Sequence, residues 1–600
     1  MNDVVRLPKR SEVKLEDTWD LTQLFATDDE WMKALEEFEA QIPGYEKYQG
    51  TLGDSAQQLA ACLSFDSDND RFAEKLGTYA FLKTTEDQAN GDYQAMIARF
   101  QSVAVRASEA SSFMRPEILS IDDQKIAEYL EAEEVAPFRL SLERLVRYKP
   151  HTLSEREEQL IAMQGEMAGA TSKIFRQLTD ADMKFGEVNN EKGERVELTQ
   201  STFQQFLISP DREVRKTAFH QFYDEFADHE NVLAATLTGS IQKDVYYARA
   251  RSYDSALGQA LFADNVPMEV YDNLIASVRS NLPTLFKYYD LRRRKMGLDD
   301  IHHYDTYVPI LSEINSEYSW EQAVDVVIKS LEPLGSDYCS VLQDGLVGRW
   351  CDRYPNENKQ SGAFSCGSYD GLPYIMMNYK PTVLNDVFTL THEAGHSMHT
   401  FLSKTNQPYE YYNYVIFVAE VASTFNEQLL TRQLLSETDD PKRKAYLINN
   451  EIDNIRATII RQTMFAEFEK ITHEMCESGE PLTLDAYKEV YGKLLNDYFG
   501  PDFEIDEQLK LECLRIPHFY RAFYVYKYAT GLSAAIALSR RVVDGGQSEL
   551  NDYLGFLQSG CSKYPLDLLC DAGVDLRTSA PIDSAMKHFG ELIDQLDELI

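Results

Sequence analysis

Thr389-Leu-Thr-His392-Glu393-Ala-Gly-His396-Ser-Met-His399 sets two histidines four residues apart, with a glutamate directly after the first. On a helix, side chains at i and i+4 leave one face about a turn apart, so His392 and His396 can bind the same tetrahedral zinc. Glu393 can reach water at such a cation without ligating it, which is the place of a general base. The flanks carry helical spacing. The helix is expected to begin near Asn385-Asp386, acting as its N-terminal cap, and to run through Leu402.

A short aromatic loop follows, and then Val418-Ala-Glu420-Val-Ala-Ser-Thr-Phe-Asn-Glu427, on a second helix expected from about Tyr414. That helix can return across the first and offer Glu420 as the third ligand of a His2Glu site. Glu427 shares the face of Glu420 at i+7, so it can orient a ligand histidine from outside the ligand set. Three protein ligands leave a fourth position for water, as catalytic zinc requires and structural zinc does not. A fourth ligand would close the site, so His399 is placed behind the ligands or in the core. The competing reading of the whole set is a buried polar cluster without metal.

Just before this helix, Ser361-Gly-Ala-Phe-Ser365 and Leu372-Pro-Tyr-Ile-Met-Met-Asn-Tyr379 read as short strands. They either support the helix or offer an open edge to extended substrate backbone, and one strand can do both. Most other segments carry the 3.6-residue apolar period. Helices are expected at Asp28 to Ala40, Tyr93 to Phe113, Ser154 to Leu178, Asn231 to Arg251, 440–476 and 482–498. Met183 to Val188 and Arg195 to Leu198 read as a hairpin, and the boundary between an N-terminal helical domain (1–199) and a catalytic domain (200–600) is placed near it. Asp66-Ser-Asp68-Asn-Asp70 resembles the opening of a calcium loop, but Arg71 stands where glycine is needed and Gly77 where the closing glutamate belongs, so an acidic loop without calcium is expected. His302 and His303 lack a partner at helical spacing and are read as structural.

Peptide hydrolysis also needs donors for the oxyanion of the tetrahedral intermediate. Ile516-Pro-His518-Phe-Tyr520-Arg-Ala-Phe-Tyr524-Val-Tyr526-Lys-Tyr528-Ala-Thr-Gly531 reads as an aromatic helix on which Tyr520, Tyr524 and Tyr528 recur every four residues. Taken alone the rings would be core; a zinc site in want of donors favours a functional stripe.

Length and composition bound the rest. Six hundred residues exceed one core, and 44% hydrophobic with 12% aromatic residues is the make-up of a well-packed globular protein. A formal net charge of -39 opposes binding to nucleic acid or anionic membranes. Eight scattered cysteines, with no Cys-x-x-Cys pair, fit a reducing compartment, and no apolar run has the length of a signal peptide or membrane span. A cytoplasmic protein is expected, with no nucleic-acid or membrane partner; composition does not address oligomeric state.

Taken together, Ser361 to Ser365, Asp386 to His399, Phe417-Val-Ala-Glu420-Val-Ala-Ser-Thr, His518 to Gly531 and the opening Thr18-Trp-Asp-Leu-Thr22 resemble the thimet oligopeptidase family of zinc metallopeptidases, most closely its bacterial oligoendopeptidase F branch. The resemblance spans nearly the full length. It implies a mainly α, two-lobed helical metallopeptidase with a deep substrate channel, a small β-sheet beside the zinc helix, and cleavage of short peptides. By position it assigns His392, His396 and Glu420 to one Zn2+ per chain and Glu393 to general base. His518 and the tyrosines after it fall where the family has its transition-state donors: His518 and Tyr528 as catalytic groups, Tyr524 and Tyr526 as substrate contacts. Their spacing departs from that of the mammalian members and leaves the choice among the three tyrosines open. The function expected is a zinc-dependent endopeptidase of short oligopeptides. The alternatives are an exopeptidase with the same metal set, for which no Gly-x-Met-Glu-Asn segment is present, and an inactive peptide-binding protein of the same fold, which would lack a ligand or base.

Overall fold

Apolar residues at helical spacing, closed by polar caps, make most of the chain helical. The computed structural model describes residues 6–311 and 317–600 and is mainly α, with two small sheets. The chain divides into two compact units, Met1–Thr152 with Asn315–Leu434 and Leu538–Val574, and Leu153–Ile314 with Leu435–Ala537 and Asp575–Ile600.

In the first unit, helices Asp28–Gln41, Ala56–Glu86 and Gly91–Ser111 start on Thr27, Ser55 and Asn90, whose side chains accept backbone N–H groups of the first turn. Their apolar faces close a core around Trp19, Trp31, Leu35, Phe38, Leu76 and Tyr79 that also takes in Tyr374 and Met376. Those two residues belong to the central strand of a three-stranded sheet. Tyr374–Met376 lies between Cys351–Asp352, which is parallel to it, and Phe364–Cys366, which is antiparallel. The N-terminal helices thus anchor the sheet.

The acidic run Asp66 to Asp70 is helix, not the expected loop. It lies inside Ala56–Glu86, whose buried Leu59, Cys62, Leu76 and Tyr79 fix the helical register around it. Tyr45 and Tyr409 donate their hydroxyls to Asp66 and Asp70 at 2.7 and 2.8 Å.

In the second unit the hairpin Glu187–Asn189 with Arg195–Glu197 pairs Val188 opposite Val196. The helix expected from Ser154 to Leu178 is broken at Gln164 and Gly169 into Glu155–Met163, Gly165–Ala168 and Ala170–Gln177. The helix expected over 440–476 is interrupted by a wider turn at Arg456–Ile460. The core is ring-rich, with Phe203 stacked on Phe222 at 3.8 Å and Phe222 on Phe185 at 4.5 Å. His303 is buried and His302 Nδ1 meets Asp506 at 2.8 Å, structural placements for both. Among the described residues no helix is long and apolar enough to cross a membrane.

Candidate active site

Two helices of the first unit build the site. His392 and His396 lie on Leu384–Asn406, which begins a residue before the expected cap and continues past Leu402; Glu420 lies on Ile416–Glu437. The crossing of the two is close because Gly395 has no side chain. A Cβ there would fall 2.6 Å from Ser423 Cα and 2.7 Å from the Ala422 carbonyl oxygen. Ala394, Ala422 and Ser423, all buried, keep the rest of the seam small.

This close crossing brings three donor atoms together. His392 Nε2 is 3.2 Å from His396 Nε2 and 3.4 Å from Glu420 Oε2, and His396 Nε2 is 3.6 Å from the same oxygen. Donors bound to one tetrahedral zinc at its usual bond lengths stand about 3.3 Å apart. The triangle therefore has the size of one face of such a site. Two imidazole nitrogens turned toward each other have no reason to meet except through a shared proton or a cation, and the nitrogen and oxygen donors are those zinc takes. Among the described residues this is the one set of three metal-capable side chains with all donor atoms within 4.8 Å of one another. The three side chains remain part-exposed, so the face they form is open to solvent.

The surroundings aim these donors. Glu427 Oε1 lies 3.0 Å from His392 Nδ1, so the ring presents Nε2 to the triangle. The Ser423 hydroxyl donates to Glu420 Oε2 at 3.3 Å. Burial acts against the charge on His392, but the hydrogen bonds to Glu420 and Glu427 outweigh it and raise its proton affinity. Burial, and then the charge on His392, lower that of His396. Glu420 is held below the usual carboxylate range by the two imidazoles and Ser423, despite burial.

Glu393 is only 7% exposed, and burial pushes its carboxyl up to about 7, against the opposing charge of His392. The nearby Ser365 amide acts in the opposite sense and lowers it. Phe364 and Cys366 face Met376 and Tyr374 across the ladder, while the Ser365 amide turns to the open edge of the strand, toward Glu393.

His399 is buried and stacked on Tyr414, with ring centroids 3.6 Å apart and planes within 5°. Burial pushes it down to about 3, and its Nδ1 has no hydrogen-bond partner. It makes no hydrogen bond to the ligand triangle and belongs to the core. The link to the site runs through Tyr414, whose hydroxyl reaches Thr400 Oγ1 at 2.9 Å and the His396 carbonyl at 3.3 Å. Sequence reading places Tyr414 only as the approximate start of the second helix, which begins at Ile416. Its one signal as a site residue is a place in the tyrosine-rich stretch from Tyr409 to Tyr414, whose first four residues form a helical turn.

The aromatic segment belongs to the second unit and is not one helix. Pro517–Tyr520 is a short 3-10 helix, Phe523 takes a left-handed φ of 58°, and a regular helix begins only at Tyr526. The expected stripe of Tyr520, Tyr524 and Tyr528 is therefore broken. Tyr520 stacks on Phe175 at 4.4 Å and shares a 2.8 Å hydrogen bond with Thr236. Tyr526, expected as a substrate contact, is 1% exposed with its ring 5.2 Å from Tyr271; that expectation is corrected, because a ring so enclosed offers no surface to a substrate. His518, Tyr524 and Tyr528 do come together. Tyr524 and Tyr528 meet edge-to-face at 5.3 Å, and His518 lies 6.2 and 6.1 Å from them. Arg521 stacks on Tyr524 with its guanidinium 4.3 Å from the ring centre.

Comparison with known proteins agrees over the full length. Residues 205–588 match Peptidase family M3 and residues 117–185 match Oligopeptidase F. Oligopeptidase PepF of Bacillus subtilis (strain 168) is 42% identical over 99% of this chain and 89% of its own. The oligoendopeptidase F homolog of Borreliella burgdorferi is 39% identical over 98% of this chain and 99% of its own. The solved oligoendopeptidase-F of Enterococcus faecium superposes with a TM-score of 0.72 at 34% identity, covering 96% of this chain and 99% of that one. The chain belongs to peptidase family M3 and is a metallopeptidase of the oligoendopeptidase F type.

Proposed function

We propose that His392, His396 and Glu420 hold one Zn2+ per chain, that Glu393 is the general base, and that the chain hydrolyses internal bonds of short oligopeptides. The observation that carries this is the triangle of 3.2, 3.4 and 3.6 Å with a buried carboxyl beside it. When bound, the metal supplies Lewis-acid activation of water and of the scissile carbonyl. All the assigned residues fall in the proposed catalytic region, 200–600, after the helical stretch 1–199.

The rest is done by side chains. Glu427 fixes the His392 tautomer and ring direction. Glu393, a buried carboxyl directly after His392, takes a proton from the attacking water and returns it to the leaving amine. The open edge of Phe364–Cys366 pairs with extended substrate backbone and lays the scissile bond along the Ser365 amide and Glu393. His518, Tyr524 and Tyr528 donate to the oxyanion, a role supported by the family resemblance and by the clustering of their three rings.

Peptides of graded length, blocked at both termini, are the test. An endopeptidase yields internal fragments by mass spectrometry, lost on chelation and restored by Zn2+, and an upper length limit. Blocked peptides left intact while free-ended ones are trimmed would point instead to the exopeptidase alternative.

A further inference from the structure

The donor segment is held by a residue far from it in sequence. Phe523, between Pro517–Tyr520 and the helix that starts at Tyr526, has a φ of 58°, a conformation bulky residues avoid. Its backbone N–H donates to Glu469 Oε1 at 2.9 Å in the interior of the second unit. Glu469, on helix Arg461–Ser478, is 2% exposed, and its Oε2 has no hydrogen-bond partner. One turn on, His473 Nδ1 meets the Glu469 carbonyl at 2.7 Å, its Nε2 faces Asp244 at 3.6 Å, and its ring lies 4.5 Å from that of Phe523. Phe523 is thus attached to this helix twice, through its ring and its amide.

We propose that Glu469 is a positioning residue for the oxyanion donors: its carboxyl oxygen fixes Phe523 in the left-handed conformation, and Phe523 in turn sets the directions of Tyr524 and His518 on either side. A carboxyl with one oxygen on a backbone amide and the other unpartnered serves as an acceptor, not as an ion-pair partner. Burial agrees, since it raises the Glu469 carboxyl well above the usual range. Tyr524 follows Phe523 directly, so a change in the Phe523 dihedrals swings its ring away from that of His518. This inference rests on the proposed role of the tyrosines.

Glu469→Met fills the same space but cannot accept the amide hydrogen bond, and Glu469→Gln keeps the acceptor. With a blocked oligopeptide as substrate, Glu469→Met should lower kcat by about tenfold or more with KM within about threefold and zinc content unchanged, and Glu469→Gln should stay within about threefold of wild type. Wild-type kcat in Glu469→Met overturns the proposal, as does a Gln variant as impaired as the Met variant. A Met variant that fails to fold while the Gln variant folds also overturns it, in favour of a purely structural role. Tyr524→Phe and Tyr528→Phe in the same assay separate the two levels. If both keep wild-type kcat, the reading of the tyrosines fails. If they lose it and Glu469→Met does not, only the inference about Glu469 fails.

Discussion

The triangle of His392, His396 and Glu420 and the cluster of His518, Tyr524 and Tyr528 aim polar groups by different means. On Leu384–Asn406 the helical repeat sets His392 and His396 on one face, and Gly395 lets a second helix approach until Glu420 meets them. Between Pro517 and Tyr528 no repeat does this work: a single residue at positive φ, tied to a carboxyl 54 positions earlier in the chain, turns the backbone so that His518, Tyr524 and Tyr528 converge. Helix packing spreads the positioning of the ligands over many contacts. The turn concentrates it in one hydrogen bond and one strained residue, which makes the donor cluster more sensitive to a change that leaves stability intact.

The sharpest way to divide the two regions is to remove chemistry without removing structure. Glu393→Gln should lower kcat by about 10²–10⁴-fold with zinc content unchanged; near-normal turnover with full zinc would mean that Glu393 is not the base. In the donor cluster, Tyr528→Phe should cost about 10²–10³-fold in kcat, the loss of one oxyanion donor, with zinc content and unfolding midpoint at wild-type values. A rise in KM alone would make Tyr528 a binding group only.

The helix crossing can be broken directly. In Gly395→Ala the new methyl meets backbone of the second helix, which cannot fold away as a flexible side chain could. The variant should lose about 1–3 kcal/mol of stability together with zinc affinity. Gly555→Ala, in helix Gln547–Leu557 with nothing within 4 Å of the added Cβ, should instead gain about 0.5–1 kcal/mol. Equal effects in chemical denaturation would show that the close crossing does not matter.

A smaller effect concerns His399. Its folded-state value, pushed down to about 3, lies below the ordinary histidine value near 6.5. Below about 6.5 the unfolded chain takes up a proton that the native chain refuses, so the contribution of this group to stability is lost as pH falls from there toward 3. His399→Phe should therefore lose less stability than wild type between pH 7.5 and 5, by up to about 1.4 kcal/mol per pH unit below 6.5. Parallel stability curves would show that His399 is not kept neutral.

The same contrast explains which parts could be read from the sequence. His392, His396 and Glu420 were legible because each is set by a local helical period, and the period survives packing. Phe364–Cys366 and Tyr374–Met376 were legible as β-prone pieces beside turn residues. Cys351–Asp352 was not, because two residues with one parallel partner leave no pattern. The run Asp66 to Asp70 looked like a loop, since the acids catch the eye while the apolar register that decides its helix lies in the flanking turns. Tyr520 was misplaced for a deeper reason: the four-residue recurrence of Tyr520, Tyr524 and Tyr528 implies one continuous helix, and the turn at Phe523 has neither glycine nor asparagine to announce it. It comes from the long-range contact with Glu469, which local sequence does not carry.

His392, His396 and Glu420 are proposed to hold one catalytic metal ion. Elemental analysis of purified protein beside peptidase assays, for wild type and Glu420→Gln, tests it most directly. The wild type should carry about one zinc per chain and lose its activity to chelator and regain it with Zn2+, and the variant should lose metal and activity in step. Full peptidase activity in chelator-treated, metal-free wild type, or a Glu420→Gln variant that keeps its zinc and its turnover, would contradict it.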